Sequence, residues 1–428
     1  MKGAGGYIKM KVLVLNTNER IGGAAIAANR LMKALNKSGI EAKTLVLNKQ
    51  TDDDNVVSVQ SSFIKRQLAR WFFLWERVYI FVYNRFSKNN LFKVSIANTG
   101  FDIAKHPLVR EADIIHLHWV NQGFLSLKSI YNLIQSGKLI VWTMHDLWAA
   151  TGICHHPRSC EKNKDICFNC DKLNGNISKD LAYRTFEKKK TLDLHLIHYV
   201  GCSRWIAEQA GKSRLLQSAS ICSIPNPIDT RIFTPQNKDK IRKKLQLPVD
   251  KRLLLFSAAN FSDKNKGGQY FVEACKMFYD SYPEFVQSIE IVLMGKGNET
   301  VFSALKMPIH TLHYISDDSV LADVYAAVDA FVTPSLEENL PNTIMESMAC
   351  GVPCIGFNTG GIPEMIDHKI NGYVTRYASV EDLTKGIYWT LFESDCNQLS
   401  INARQKALNC YSEEVVAKQY IKLFLKIK

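Results

Sequence analysis

Residues 330–356 read AFVTPSLEENLPNTIMESMACGVPCIG, and this stretch decides the fold class. The short apolar runs Ala330–Thr333 and Pro353–Gly356 are typical of buried strands, and Thr343–Ala349 between them has helical spacing. A strand, a helix and a second strand in this order form a crossover unit whose two strands run parallel. The stretch therefore predicts a parallel sheet covered by helices.

The same alternation occurs on both sides of this stretch, in two similar halves of the chain. In the first half, a long helix is predicted at Ala24–Ser38. Strands are predicted at Lys11–Leu15, Thr44–Leu47, Asp113–Leu117, Leu139–Met144 and Leu196–Val200. The second half predicts strands at Arg252–Ser257 and Ile289–Leu293 and helices at Gly267–Tyr282 and Leu321–Ala327. Repeated alternation of this kind indicates an α/β fold with two doubly wound, Rossmann-like domains.

The boundary between the halves is marked by the turn-forming run Pro225–Asp229 and the charged run Lys238–Lys244. We predict a first domain at residues 1–229 and a second at 230–411, with residues 412–428 packing back on the first. Ligands of open parallel sheets bind beyond the carboxyl ends of the strands. Two such domains facing each other across a cleft would accommodate two substrates.

The composition is that of a soluble globular protein, with 46% hydrophobic and 22% charged residues. No apolar run is long enough to span a membrane, and Met1–Lys11 has too few apolar residues for a signal peptide. We therefore expect a cytoplasmic protein, and its odd number of cysteines, 11, argues against a closed disulfide framework. The net charge of +13 predicts anionic partners, which are phosphorylated ligands, an acidic membrane or nucleic acid.

Two carboxylates are the first candidate site. Glu338 lies in the loop after a predicted strand, and Glu346 lies in the following helix. Such a pair can hold two hydroxyl-bearing parts of one ligand. The alternative is a solvated loop glutamate beside a glutamate favoured by the helix dipole.

Residues 334–366, PSLEENLPNTIMESMACGVPCIGFNTGGIPEMI, resemble the signature of retaining glycosyltransferase family 4, and the resemblance extends over nearly the whole chain. That family has the two-domain GT-B fold. The resemblance implies donor-sugar contact for Glu338, with Asn339 and Leu340 beside it in the donor site, and ribose contact for Glu346. It also implies that backbone amides of the pair Gly360 and Gly361 reach the donor.

A basic loop of the second domain completes the predicted donor site. The family usually presents an arginine and a Lys-Gly pair that hold the donor pyrophosphate, and Lys266-Gly267 matches the pair. Asn260 stands at the arginine position, so Lys264 is our candidate for the missing charge. The alternative is a basic loop in solvent.

The first domain contributes a glycine pair and a histidine. Gly22 and Gly23 follow the first strand, where a glycine backbone and a helix N-terminus suit contact with a donor phosphate or with the acceptor. A plain strand-to-helix turn is the alternative. His145 ends a predicted strand, and the resemblance implies contact with the transferring sugar; a structural histidine is the alternative. Our predicted catalytic residues are His145, Lys266 and Glu338.

Four cysteines follow the sequence His145-Asp146-Leu147-Trp148, at positions 154, 160, 167 and 170. A subset of the family carries a similar cysteine-rich insert after the HD-x-W motif. Cys154, Cys160, Cys167 and Cys170 could close a tetrahedral structural zinc site or remain free thiols. A catalytic zinc is disfavoured because four protein ligands leave no open position.

Residues Phe63–Lys88 predict an amphipathic helix. One face would carry Ile64, Leu68, Trp71, Trp75, Val78, Tyr79, Val82 and Phe86. The other face would carry Arg66, Arg70, Arg77 and Lys88. Basic amphipathic helices with aromatic anchors lie in membrane interfaces, whereas the alternative is a helix that packs on its own domain.

The sequence thus predicts an enzyme that transfers a sugar from a UDP- or GDP-sugar to a glycan or lipid-linked glycan, with retention of configuration, in surface polysaccharide biosynthesis. We expect no cofactor in catalysis and a location in the cytoplasm, peripheral at the inner face of the membrane. The alternatives are a non-catalytic or sugar-synthase-like relative and a basic protein that binds membranes or nucleic acid. The basic residues are dispersed along the chain, and the sequence lacks the signature of a nucleic-acid-binding fold, which argues against nucleic acid as a partner.

Overall fold

The computed structural model of the protein describes residues 10–175 and 177–428. The chain forms two compact units: the first runs to Pro225 and is completed by Val416–Lys428, and the second is Asn226–Val415. Residues 1–9 lie outside the described residues. They make up most of Met1–Lys11, the stretch in which we expect no signal peptide. No helix in the described ranges is both long and apolar enough to cross a bilayer.

The first unit contains a seven-stranded parallel sheet in the order β3-β2-β1-β4-β5-β6-β7. Its strands are β1 (Lys11–Asn18), β2 (Glu41–Asn48), β3 (Val56–Ser58), β4 (Ile114–Leu117), β5 (Leu139–Met144), β6 (Ile197–Gly201) and β7 (Ser220–Ser223). Its helices are α1 (Gly23–Lys37), α2 (Phe63–Tyr83), α3 (Pro107–Glu111), α4 (Leu127–Gln135), α5 (Leu181–Lys190) and α6 (Arg204–Gly211). The strand order reverses between β1 and β4, where open sheets of this kind bind ligands.

Both faces of this sheet are buried, which explains the continuous apolar run of β1. Leu13 and Leu15 join one apolar cluster, while Val12 and Val14 join another on the opposite face. Alternate residues of a strand point to opposite faces, so a sheet covered on both sides needs apolar residues throughout.

The second unit contains a six-stranded parallel sheet in the order β10-β9-β8-β11-β12-β13. Its strands are β8 (Arg252–Ala258), β9 (Ile289–Gly295), β10 (Ile309–Leu312), β11 (Ala330–Thr333), β12 (Cys354–Phe357) and β13 (Gly372–Thr375). Its helices are α7 (Lys238–Lys244), α8 (Gly268–Ser281), α9 (Asp318–Ala327), α10 (Asn342–Ala349), α11 (Ile362–Met365), α12 (Val380–Tyr388) and α13 (Cys396–Tyr411). The strand order reverses here between β8 and β11.

The last helix, α14 (Glu413–Ile427), begins in the second unit and continues in the first. Its residues Val416, Ala417, Tyr420 and Phe424 are buried in one of the apolar clusters on the first sheet. The Tyr420 hydroxyl lies 2.8 Å from Oγ1 of Thr143 on β5. The helix is therefore part of the core of the first unit.

The predicted doubly wound α/β fold is confirmed, and every predicted strand and helix named above is present with ends that shift by a few residues. Helix α9 begins before Leu321 because the Asp317 carboxylate accepts hydrogen bonds from the backbone N–H groups of Ser319 and Val320. The prediction missed the short edge strands β3, β7, β10 and β13, which carry little periodic signal.

The amphipathic helix differs from its prediction in two respects. Helix α2 ends at Tyr83, so Phe86 and Lys88 lie beyond it. The placement of Arg77 on the exposed basic face was wrong: Arg77 is buried, and its guanidinium lies 2.8 Å from the carboxylate of the equally buried Glu76. Arg77 also donates to the carbonyl of Val94 at 3.0 Å. Burial of this charge is tolerated because it is paired and hydrogen-bonded.

Candidate active site

Three loops meet at the carboxyl ends of β8, β11 and β12 in the second unit. The N–H of Leu336, after β11, donates to the carbonyl of Asn265, after β8, at 2.8 Å. The N–H of Gly361, after β12, donates to the carbonyl of Asn339 at 2.8 Å. The predicted donor residues of this unit that lie in these loops are thus assembled where the strand order reverses.

Two glycines permit this close approach. Gly267 has a φ of 72°, and a Cβ there would lie 1.8 Å from the carbonyl oxygen of Pro334. Gly360 has a φ of 56°, and a Cβ there would lie 1.6 Å from the carbonyl oxygen of Glu338. Any side chain at either position would push the loops apart, because both contacts are to backbone.

Lys266 and Glu338 form an ion pair in this assembly. The Lys266 ammonium lies 2.5 Å from Oε2 of Glu338, and both side chains are half-buried. The charge of Glu338 raises the pKa of Lys266. One positive and one negative group therefore neutralise each other at the point where we predict a diphosphate and a sugar.

Glu346 lies deeper, on α10, with only 3% of its surface exposed. Its Oε2 accepts a hydrogen bond from the hydroxyl of the fully buried Tyr325 on α9, at 3.2 Å. Burial and the neighbouring Glu346 carboxylate raise the pKa of Tyr325 well above its usual value, so the hydroxyl keeps its proton. Asn339 and Leu340 are also buried, at 6% and 7% exposure.

The basic loop places its residues differently. Lys264 is exposed and opens the short turn Lys264–Lys266. Asn260, at the position of the family arginine, accepts a hydrogen bond from the N–H of Ser262 at 3.0 Å through Oδ1. An amide at this position therefore stabilises a turn, which an arginine could not do with its donor-only side chain.

The glycine pair and the histidine lie in the first unit. Gly22, with a φ of 94°, precedes α1 and Gly23 is its first residue, beyond the carboxyl end of β1. His145 directly follows β5 and is half-buried. Its Nε2 lies 2.8 Å from Nδ1 of His118, a buried residue that follows β4 and that the sequence analysis missed. The only signal in the sequence was its place at the end of a predicted strand.

Asp146, next to His145, is the centre of a partly buried polar network. Its carboxylate accepts hydrogen bonds from the indole of Trp119 at 2.9 Å and the N–H of Trp148 at 2.8 Å, and lies 2.7 Å from Nδ1 of His155. Although burial alone would raise the pKa of Asp146, its interactions with His155, with His156 and with the backbone N–H of Trp148 hold that pKa below its usual value. These hydrogen bonds hold Asp146 in place and so fix the backbone next to His145.

The four cysteines of the insert are free thiols near one another. Burial raises the pKa of Cys154 and Cys167 to about 11 and that of Cys170 to about 12, and neighbouring cysteines, among them Cys160, add to each shift. Among the described residues, however, no group of three or more His, Cys, Asp or Glu side chains is arranged to hold a metal ion. The structure therefore shows proximity of the thiols without a formed tetrahedral site.

Comparison with known proteins gives a consistent result for this architecture. Residues 251–392 match the family model described as glycosyl transferases group 1. The chain is 24% identical over 207 residues to the N-acetyl-alpha-D-glucosaminyl L-malate synthase of Bacillus anthracis, which is 47% of this chain and 52% of that protein. It is 24% identical over 210 residues to the UDP-Gal:alpha-D-GlcNAc-diphosphoundecaprenol alpha-1,3-galactosyltransferase of Escherichia coli, which is 47% of this chain and 53% of that protein.

These matches span about half the length of the curated relatives. Among solved structures, sucrose-phosphate synthase from Thermosynechococcus elongatus has a TM-score of 0.67 at 16% identity, over 98% of this chain and 99% of that one. At this identity the likeness shows the fold. The family model matches a segment that lies within the second unit, whereas the likeness to solved structures extends over both units and shows a GT-B fold.

Proposed function

We propose that the protein transfers a sugar from a UDP- or GDP-sugar to a glycan acceptor with retention of configuration, in surface polysaccharide biosynthesis. The observation that carries this proposal is the pair Lys266–Glu338, held against the Gly360 loop where the strand order of the second sheet reverses. Cation, carboxylate and close backbone are the groups that a diphosphate-linked sugar needs.

The ion pair indicates how the donor would be received. A donor phosphate can replace Glu338 as the partner of Lys266, which frees the Glu338 carboxylate to accept a hydrogen bond from a sugar hydroxyl. During bond cleavage, negative charge grows on the departing diphosphate, and the Lys266 ammonium stabilises it electrostatically. Glu346, fixed by Tyr325, would hold the ribose hydroxyls. No divalent ion is assigned a step, as the family resemblance implies.

The acceptor in this proposal is a lipid-linked glycan, and the support comes from α2. Ile64, Leu68, Trp71, Trp75, Val78 and Val82 follow one another at helical spacing and are all exposed. Trp71 is 56% exposed and its ring stacks on that of Trp75 at 5.6 Å. A contiguous apolar stripe of this size marks an interaction surface.

An anionic membrane is the partner that fits this stripe. Arg66 and Arg70 of the same helix are exposed, and the chain carries a net charge of +13. Tryptophan favours the headgroup region, and each basic residue near an anionic surface contributes about 1 kcal/mol. The enzyme would then be peripheral at the inner face of the membrane, on the cytoplasmic side, where lipid-linked acceptors are within reach.

We also propose one structural zinc ion in the cysteine insert. The support is the presence of Cys154, Cys160, Cys167 and Cys170 within a short, partly buried segment. Binding would require the thiols to turn toward a common centre, since the described side chains do not form one. Zinc would stabilise the segment and take no part in transfer.

The test of the proposed function is a panel of nucleotide sugars. We expect one UDP- or GDP-sugar to raise the melting temperature of the protein and to be consumed when lipid-linked glycans are added. Absence of binding by every UDP- and GDP-sugar would overturn the proposal. Binding without transfer to any acceptor would favour the non-catalytic alternative.

A further inference from the structure

His118 and His145 lie at the ends of two adjacent strands of the first sheet. The strands β4 and β5 pair in parallel, with Leu117 opposite Trp142, so the residues that follow them are neighbours. Nδ1 of His118 is 2.8 Å from Nε2 of His145, a hydrogen-bond distance. Because the contact joins two ring nitrogens, it needs one proton between them.

His118 has little freedom to move. It is 3% exposed, and its carbonyl accepts a hydrogen bond from the indole N–H of Trp142 at 2.9 Å. The ring of His116 lies 4.5 Å from its own, and His116 in turn contacts Oγ1 of Thr143 at 2.8 Å. The ring of His118 is thus enclosed on the side away from His145.

Both rings are neutral at physiological pH. Burial lowers the pKa of His145 to about 4 and that of His118 well below its usual value. A neutral imidazole carries a proton on one nitrogen only. Two arrangements remain, and they differ in which histidine donates.

The second nitrogen of His118 decides between them. Its Nε2 is buried and has no hydrogen-bond partner in the part of the chain that the structure describes. If His145 were the donor, the proton of His118 would sit on this Nε2 as a buried, unpaired N–H, and orphaned N–H groups are rarer than under-satisfied acceptors. If His118 is the donor, only a lone pair is left without a partner.

We propose that His118 is a positioning residue that donates Nδ1–H to Nε2 of His145 and so fixes His145 as its Nδ1–H tautomer. The proposal rests on the role of His145 in the proposed transfer reaction. It follows that the Nε2 lone pair of His145 is occupied and cannot act as a base. His145 would meet the sugar through Nδ1–H, as a donor to a hydroxyl oxygen.

The experiment is NMR of ligand-free, full-length protein with isotope-labelled histidine at pH 7. The tautomers of neutral histidine give different one-bond and long-range couplings between ring nitrogens and protons, and the His145→Gln spectrum identifies the His145 signals. We expect the Nδ1–H pattern for His145 in the wild type. An Nε2–H pattern would overturn the proposal, whatever the outcome of the activity assays.

Variants separate positioning from packing. His118→Phe removes the donor, so the His145 signals should become a tautomer mixture, and kcat/KM should fall about tenfold, as for one hydrogen bond. His118→Asn places an amide N–H near the position of Nδ1 and should restore the tautomer and most of the activity. His116→Phe is the matched control: it keeps an aromatic ring beside His118 and removes only the contact with Thr143, so the His145 tautomer should stay unchanged.

An unchanged His145 tautomer in folded His118→Phe would also overturn the proposal. Should that variant not fold, the wild-type spectrum alone decides. Since the spectrum needs no substrate, failure to find any nucleotide-sugar activity would reject the proposed function without touching the tautomer assignment.

Discussion

The hydroxyl of Tyr325 donates a hydrogen bond to the carboxylate of Glu346 inside the second unit, 3.2 Å away. Helix α9 thereby fixes the orientation of a carboxylate on α10, and both side chains are buried. We expect Glu346→Ala to lower donor affinity at least about tenfold, because a hydrogen bond to a charged group contributes about 1.5–3 kcal/mol. Calorimetric titration of a folded variant measures this loss, and unchanged affinity would remove Glu346 from the donor site.

Tyr325→Phe tests the orienting role of the tyrosine. The variant removes one donor from a buried carboxylate, which should cost about 1–3 kcal/mol of stability and weaken donor binding while leaving Glu346 in place. Tyr377→Phe makes the same chemical change at an exposed position of the same unit and should do neither. Equal behaviour of the two variants would contradict the assignment.

Lys266→Ala should damage turnover more than folding. The pair with Glu338 is half-exposed, and such pairs contribute about 0–1 kcal/mol to stability. If Lys266 stabilises the departing diphosphate, kcat falls together with donor affinity. Steady-state kinetics of Lys266→Ala and Lys264→Ala, measured side by side, distinguish the roles of the two lysines, since Lys264 is the exposed lysine of the same turn. Normal kcat and KM in Lys266→Ala would give the role to another residue.

Acid should destabilise the first unit through its buried histidines. Burial lowers the pKa of His116 to about 3, so its neutral form is favoured by folding. Between about pH 6.5, the ordinary pKa of histidine, and about pH 3, the unfolded chain holds a proton on His116 that the folded chain lacks. The free energy of unfolding therefore falls as pH falls through this range, by about 1.4 kcal/mol per pH unit for one such group.

Urea unfolding between pH 7 and 4.5 measures this slope. His116→Gln should reduce it, whereas the same substitution at the exposed His313 should leave it unchanged. A wild-type stability that does not change over this range would contradict the lowered pKa of His116.

Membrane binding should require the tryptophans of α2. We expect wild type to sediment with phosphatidylglycerol vesicles at low salt and to be released as salt rises, because exposed charges are screened over about 10 Å at 0.1 M. A Trp71→Ala, Trp75→Ala double variant should lose binding, while Leu196→Ala, which alters an exposed leucine elsewhere in the unit, should retain it. Wild type that ignores these vesicles would make α2 an ordinary packing helix.

The arginines offer a second arm of that experiment. Arg66→Gln and Arg70→Gln should each weaken binding and flatten its salt dependence, since both residues are exposed. Arg77 is unsuitable for this purpose, because its removal would leave Glu76 buried and uncompensated.

The sequence predicted elements with long apolar runs well and buried polar contacts poorly. Both residues of the pair Lys266–Glu338 were predicted as site residues, yet their contact depends on two loops brought together by the sheet order. Arg77 was misplaced because helical periodicity assigns arginine to the polar face and cannot show that Glu76 neutralises it.

His118 escaped prediction for a related reason. Its contact with His145 joins residues 27 positions apart and arises from the register of two parallel strands, which a single sequence does not display. The cysteine insert shows the converse, since spacing predicted that the thiols would be close but could not give the direction of each side chain.

The path of the chain through the two units has a consequence for its synthesis. Tyr420 and Phe424 on α14 pack against the ring of His116, but the ribosome delivers them after the whole second unit. A nascent chain that stops near Pro225 exposes this apolar face and leaves Thr143 without the hydroxyl of Tyr420. The first sheet is thus translated before the second unit and completed only after it, so a fragment that ends near Pro225 should aggregate unless α14 is supplied.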